Sequence, residues 1–504
     1  MAWILKRILC FSIAVGAIMV FPIAAFPASQ TPSSTLHVSL ADSIQAIIDQ
    51  APDGAVIYLA PGIYYVEPLQ IEKEITLRGT GKSAAETKIV GLTEDSPVIA
   101  LDAEKVIDVA VENITVSGGT GCQGPGIKAS GKVRISLSYV CISGNAYQGL
   151  LMWEESEAFL SNCVITGSAY TGVGVSDSAR LSLEHCSVIA NGYFGLLAGD
   201  EAQVTAAECI FSNNKSIGAQ IENSVQVMME DSFLADNGEA GLLIRDSARV
   251  TLTGCTALKN GDYGIIVGHS GQLDVESSAI LRNGKVGLEL RDSANVVLKN
   301  SIISGNGWNG IWAQDRAQAD LTTCTISKNG DIGLVACGLA HIVLQNSTVA
   351  DNNAHGVDAY EAAEIDIEGS TVCDNGDYGV WIGNRAQATA VNSTISGNGV
   401  NGLEIDDLAR VRLNSCLIAD NSADGIHLCG EVVVTISGCR ILNNAGYGLR
   451  THREDCVADY NSLHGFSGFV TSSSSGNVIP GPDEPDGNLS GDVCPLELQR
   501  LKQE

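Results

Sequence analysis

A chain of 504 residues would ordinarily divide into several domains, but 55 glycines, 12 prolines and only 5 % aromatics speak for many tight turns between short strands and against helical repeats. The formal net charge of −29, from 58 acidic and 29 basic residues, excludes nucleic acid and anionic lipid as partners, since such a surface repels phosphates. Cations and neutral partners stay open.

Residues 1–28 open with Lys6 and Arg7 and continue as an apolar run from Ile8 to Ala28. This reads as a secretory signal peptide, with an uncleaved anchor as the alternative because the run is about long enough to span a bilayer. A secreted, periplasmic or cell-surface location follows, with no further membrane contact. Residues 29–54 read as a polar leader and an N-terminal capping helix. Ile44, Ile47 and Ile48 stand at helical spacing behind Asp42 and Ser43, with Pro52 and Gly54 as a stop. A lone helix before a run of strands is expected to lid the first turn of a stack, whose open end would otherwise template aggregation.

Residues 55–125 show clear but irregularly spaced strands at Val56–Leu59, Ile63–Val66, Leu69–Ile71, Ile75–Leu77, Val98–Leu101 and Ile114–Val116. From Gly126 a glycine then recurs every 23 residues up to Gly448, so residues 126–450 are a repeat array in which each unit buries its apolar face only by stacking on its neighbours. Apolar residues fall one and three places after each glycine (Leu242, Ile244), nine and eleven places after (Val250, Leu252), and fourteen and sixteen places after (Cys324, Ile326). Three period-two pairs predict three short strands per coil. At about 4.8 Å per coil the array is a rod on the order of 70 Å long.

An asparagine precedes the next glycine at 145, 191, 214, 237, 260, 283, 306, 329, 352, 375, 398, 421 and 444, and only Ser168 breaks that column. Amides stacked along the axis can hydrogen-bond one another, which predicts an asparagine ladder of structural purpose. The acidic row Asp177, Asp246 and Asp292 is expected to make Asx turns. Residues 451–504 lose the period and read as a C-terminal cap with a loose tail.

The run DSIQAIIDQAPDGAVIYLAPGIYYVEPLQIEKEITLRGTG, followed by these repeats, resembles exported right-handed parallel β-helix proteins of the pectate-lyase-like superfamily. The resemblance implies an all-β, single-stranded right-handed solenoid. It leaves activity open, because that superfamily includes lyases, hydrolases, epimerases and members without known activity. The N-T-D, G-H-G and R-I-K motifs of polygalacturonases and the D-P-H of mannuronan epimerases are absent.

Fifteen cysteines in an exported chain suggest disulfides, but Cys163, Cys186, Cys209, Cys255, Cys324, Cys416 and Cys439 share one inward column and are expected to be buried thiols. Cys337 and Cys429 lie four repeats apart and cannot pair with each other. Cys456 with Cys494 is the best disulfide candidate and Cys122 with Cys141 a weaker one. No metal-ligand spacing appears.

Function is sought in the outward column two places after each glycine. Its first half is largely apolar, and Leu197, Leu243 and Ile266 are expected to form an exposed patch; further along come Trp312, Asp358, Trp381, Glu404, His427 and Arg450. Indole faces stack on sugar rings, while Asp358, Glu404 and Arg450 can bond hydroxyls or a uronate. Asp406, Asp407, Tyr360, His355, Asp424 and His452 are expected to flank this groove. Glu404 and His427 could supply general acid or base chemistry and Arg450 could stabilise an enolate-like charge, although Glu, His and Arg in register also make an ordinary solvated ion ladder. The expectation is an exported β-helix scaffold that binds polysaccharide or a surface partner without turnover. The alternative is a polysaccharide lyase, hydrolase or epimerase working in the same groove. No cofactor is required, with calcium left open.

Overall fold

The computed structural model describes residues 34–121, 124–451 and 491–493. Among them the chain winds as a right-handed parallel β-solenoid whose regular coils are 23 residues long. One coil shows the pattern: strands Ala240–Ile244, Arg249–Thr253 and Thr256–Leu258 stack in register on Tyr263–Val267, Gln272–Glu276 and Ala279–Leu281. The third strand is only three residues long, so the residue fourteen places after the glycine lies in the corner before it rather than in the strand. From Leu288–Leu290 onward the first strand also shortens, to three residues through Ile426–Leu428.

Each coil turns three corners, and one residue at each adopts a left-handed backbone, as at Asp246, Gly254 and Lys259. The 23-residue glycine is needed for space rather than for such a turn. A Cβ on Gly264 would stand 2.5 Å from the Gly287 carbonyl oxygen and 2.7 Å from the Asn283 amide. That amide belongs to the expected ladder, which forms: Asn260 Nδ2 donates to Asn283 Oδ1 at 3.0 Å and Asn283 Nδ2 to Asn306 Oδ1 at 2.9 Å. At Ser168 the ladder breaks, leaving Asn145 Nδ2 and Ser168 Oγ without partners.

The acidic row is also a ladder, but between coils rather than within a turn. Asp246 Oδ2 accepts the Asn223 backbone N–H at 3.0 Å and Asp292 Oδ2 that of His269 at 2.9 Å. The left-handed corner turns its N–H along the axis, toward the carboxylate of the next coil.

At the N-terminus the helix spans Ile44–Gln50, capped by Ser43, whose hydroxyl accepts from Ala46 N; Ile44 and Ile48 are buried. The stretch assigned to a polar leader already contains a strand, Thr35–Val38, paired in parallel with Val56–Leu59. Four residues with two apolar side chains are too short a signal to read from pattern. At the other end Gly491–Val493 pairs in parallel with Tyr447–Thr451, so the C-terminal segment adds a strand to the last coil.

The seven columnar cysteines are buried, and none is disulfide-bonded. Cys141 is free as well, which removes the Cys122 pairing, and Cys429 is disulfide-bonded. None of the ten other described cysteines is disulfide-bonded, so its partner lies outside the described residues, as do both members of the Cys456–Cys494 candidate. Among the described residues no helix is long and apolar enough to cross a membrane, and residues 1–28 lie outside them.

Candidate functional site

The outward column stacks as expected, one residue per coil, from Val335 through Asp358, Trp381, Glu404 and His427 to Arg450. Its exposure differs from expectation. Asp358 is 4 % and Glu404 7 % exposed, so these carboxylates do not belong to a solvated ladder. The residues just before each glycine (His355, Tyr378, Asn401, Asp424 and Tyr447) form a second column that folds over the first. Further along the axis the same effect buries Leu243 and Ile266 in a satellite cluster with Phe194, Ile217 and Ala240, so the expected exposed apolar patch is not one.

Two histidine–carboxylate pairs result. His427 Nδ1 lies 2.8 Å from Glu404 Oε1, while Asn401 Nδ2 donates to Glu404 Oε2 at 2.6 Å and Asn401 Oδ1 accepts the Asp424 N–H at 2.8 Å. One carboxylate therefore orients the imidazole and is itself oriented by an amide. Arg450 Nη1 is 3.6 Å from Asp424 Oδ2, with its guanidinium 5.8 Å from the centre of the Tyr447 ring. In the second pair, His355 Nδ1 is 2.7 Å from Asp358 Oδ1 and its Nε2 3.2 Å from Asp377 Oδ2.

Burial opposes the charged form of both imidazoles, yet the adjacent carboxylates outweigh it and raise both above the usual histidine value. Burial lifts the Asp358 and Asp406 carboxyls, and pushes the Tyr378 hydroxyl up to about 12 with help from Glu404, Asp377 and Asp406. Trp381 is half-buried, donates from Nε1 to Asp406 Oδ2 at 2.6 Å, and lies 6.0 Å from the Tyr360 ring and 6.4 Å from His355. A cleft of about 450 Å³ is lined by Tyr378, Asn401, Glu404, Asp424, His427, Tyr447 and Arg450.

Of the residues singled out from the sequence, Asp358, Trp381, Glu404, His427 and Arg450 are brought together, flanked by His355, Tyr360, Asp406 and Asp424. Trp312 stands apart, with Val335 between it and Asp358. Asp407 faces elsewhere: its left-handed corner carries the carboxylate to the Asn384 N–H at 3.0 Å. His452 lies outside the described residues. Asn401, Tyr378 and Tyr447 were missed, although counting one place back from the glycine would have found them.

The right-handed β-helix region family matches residues 99–249, 204–338, 240–389 and 309–463, together more than half of the chain. The chain belongs to that family. None of the curated proteins compared is similar to it in sequence. Among solved structures it is similar to Geobacillus virus E2 ORF18 at 12 % identity and TM-score 0.43, spanning 57 % of this chain and 62 % of the viral one. It is similar to the catalytic unit of a GH87 α-1,3-glucanase from Streptomyces thermodiastaticus strain HF3-3 at 17 % identity and TM-score 0.45, covering 63 % and 69 %. A third likeness, to the periplasmic alginate epimerase AlgG, has 14 % identity and TM-score 0.36, covering 61 % and 82 %. None of these likenesses bears on what this β-helix does.

Among the described residues one group of three could hold a metal ion. His341, Glu364 and Asp366, on the second strands and away from the cleft, bring ligand atoms within 4.8 Å of one another, with His341 Nε2 3.1 Å from Asp366 Oδ2. Two carboxylates and an imidazole suit a transition ion better than calcium, which takes oxygen ligands.

Proposed function

We propose that this β-helix binds a polysaccharide along the outward column from Asp358 to Arg450, centred on the cleft lined by Tyr378, Glu404, His427 and Arg450. The observation that carries the reading is the cleft itself, about 450 Å³, where the rings of Tyr378 and Tyr447 meet convergent polar groups on Asn401, Glu404, Asp424, His427 and Arg450. Trp381, half-buried beside it, offers an indole face. Polar groups held in fixed geometry around aromatic faces suit a ring that is apolar on its faces and hydroxylated at its edge. Arg450 and a protonated His427 are placed to accept a uronate.

A second reading, turnover, is favoured by one feature. The buried Glu404, held by Asn401, orients His427 as an orienting carboxylate does for a general base, and Tyr378 supplies a phenol held protonated. A uronate proton taken by His427, with Arg450 against the developing charge, would be the first step of an elimination or epimerisation.

One experiment separates these readings. The purified protein is passed over immobilised neutral and uronate polysaccharides, and the soluble forms are assayed for released reducing or unsaturated ends. Retention without release, lost in Trp381→Ala, supports binding alone. Release abolished by both Glu404→Gln and His427→Ala establishes turnover. The absence of both retention and release on every polysaccharide would overturn the glycan reading.

A further inference from the structure

Outside the cleft, two buried polar atoms without partners are neighbours. Glu289 and Trp312 stand in register on consecutive coils, in the column two places after the glycine. The residues that alternate with them, Leu288, Leu290, Ile311 and Ala313, are fully buried in the core, so Glu289 and Trp312 point outward. Glu289 is nevertheless only 3 % exposed. Its Oε1 accepts from Arg291 Nε at 2.8 Å, but its Oε2 has no donor, and the Trp312 Nε1–H has no acceptor.

A buried carboxylate oxygen and a buried indole N–H are both costly to leave unbonded. One hydroxyl meets both needs, donating to Oε2 while it accepts from Nε1–H. Arg291, which holds Oε1 and whose side chain is 43 % exposed, is long enough to swing aside. Aromatic surface lies close by: the Lys285 ammonium stands 5.9 Å from the Tyr263 ring centre and 5.8 Å from that of Trp308, which is 51 % exposed. The charges cancel, since Lys285 pairs with Asp262 at 2.9 Å and Arg291 with Glu289. A neutral, hydroxylated ring fits this set better than an acidic one.

We propose that Glu289 and Trp312 form a second glycan subsite, which takes a hydroxyl of a neutral hexose residue between Glu289 Oε2 and Trp312 Nε1–H. The inference rests on the glycan reading for its class of ligand, not for its position. Trp312 is four coils from Glu404, or about 19 Å along the axis, so an oligosaccharide of roughly four or more residues is needed to reach both sites. A single bound water is the rival occupant.

The test uses the full chain labelled with 5-fluorotryptophan, with the Trp312 and Trp381 fluorine resonances assigned from Trp312→Phe and Trp381→Phe. Linear gluco- and manno-oligosaccharides of about two to eight residues are the probes. The expected result is a saturable shift of the Trp312 resonance, with a midpoint raised at least about tenfold by Glu289→Gln and by Trp308→Ala. Trp308 is exposed, so its variant keeps the test alive if Glu289→Gln fails to fold. A Trp312 response without a Trp381 response supports this subsite and shows that it binds neutral sugar independently of the cleft. A Trp381 response alone refutes the subsite and leaves the cleft standing. Silence at both resonances refutes the subsite in favour of water, and an unchanged midpoint in both variants refutes the roles given to these residues.

Discussion

Ser168 offers a stabilising substitution whose size can be worked out from its neighbours. Elsewhere in the column each amide oxygen accepts two bonds from the preceding coil, as Asn214 Oδ1 does from Asn191 N at 3.1 Å and Asn191 Nδ2 at 3.0 Å. Most of the amide nitrogens donate to the next amide and to a core carbonyl, as Asn214 Nδ2 does to Asn237 Oδ1 at 3.0 Å and Val188 O at 3.3 Å. Ser168→Asn would give Asn145 Nδ2 its missing acceptor and, by the same pattern, join Asn191 Oδ1. Gly149 leaves room: its Cβ position is 3.0 Å from Ser168 Oγ, and the equivalent position on Gly172 is 2.6 Å from an amide the column already holds, Asn191 Nδ2.

Two or three new buried bonds at about 1 kcal/mol each, with relief of the orphaned amide and about 1 kcal/mol spent ordering the side chain, give a net gain of about 2 kcal/mol. In a solenoid the gain is local, so native-state amide exchange around residues 145–168 is the assay, with protection expected to rise about 30-fold. The reverse change, Asn214→Ser, should cost a comparable amount. Exchange in Ser168→Asn that is unchanged or faster would refute the view that the ladder stabilises the stack through these bonds.

Two further outcomes follow from the geometry. In Gly264→Ala the new Cβ would lie 2.5 Å from the Gly287 carbonyl oxygen and from Ile280 Cγ2, while Gly144→Ala meets nothing within 4 Å and has only its left-handed backbone, at φ +65°, against it. Urea unfolding should show about 3 kcal/mol lost in the first and about 1 in the second, and equal losses would contradict a steric role for the glycine column. His355 and His427 are both raised above the ordinary value by their carboxylates, so their stabilisation is complete below the unfolded value near about 6.5 and is lost as pH rises through the raised folded values. Denaturation should therefore grow easier as pH rises from about 6.5 through the raised folded values, and a His355→Gln, His427→Gln double variant that kept the full slope would show that other groups set it.

The rod was legible because its determinants are local and repeat in register. A glycine every 23 residues, an asparagine ahead of it and paired apolar positions settle where each strand lies and which side chains point inward, because alternation along a strand leaves no freedom there. The cysteine column followed from the same register. The disulfide at Cys429 did not, since its partner lies outside the described residues.

Glycine spacing alone locates the outward column two places beyond each glycine. That this column is covered emerges only when the coil is folded. The turn residue just before each glycine folds back over the column, His355 against Asp358 and Asn401 against Glu404, three residues apart in each case, and parallel stacking adds His427 to Glu404 from the next coil. Period two places a side chain on a face, but not how far its neighbour in the corner leans over it. That lean comes from side-chain packing between coils, and it makes Glu404 a buried, oriented carboxylate where the sequence alone reads as a solvated ion.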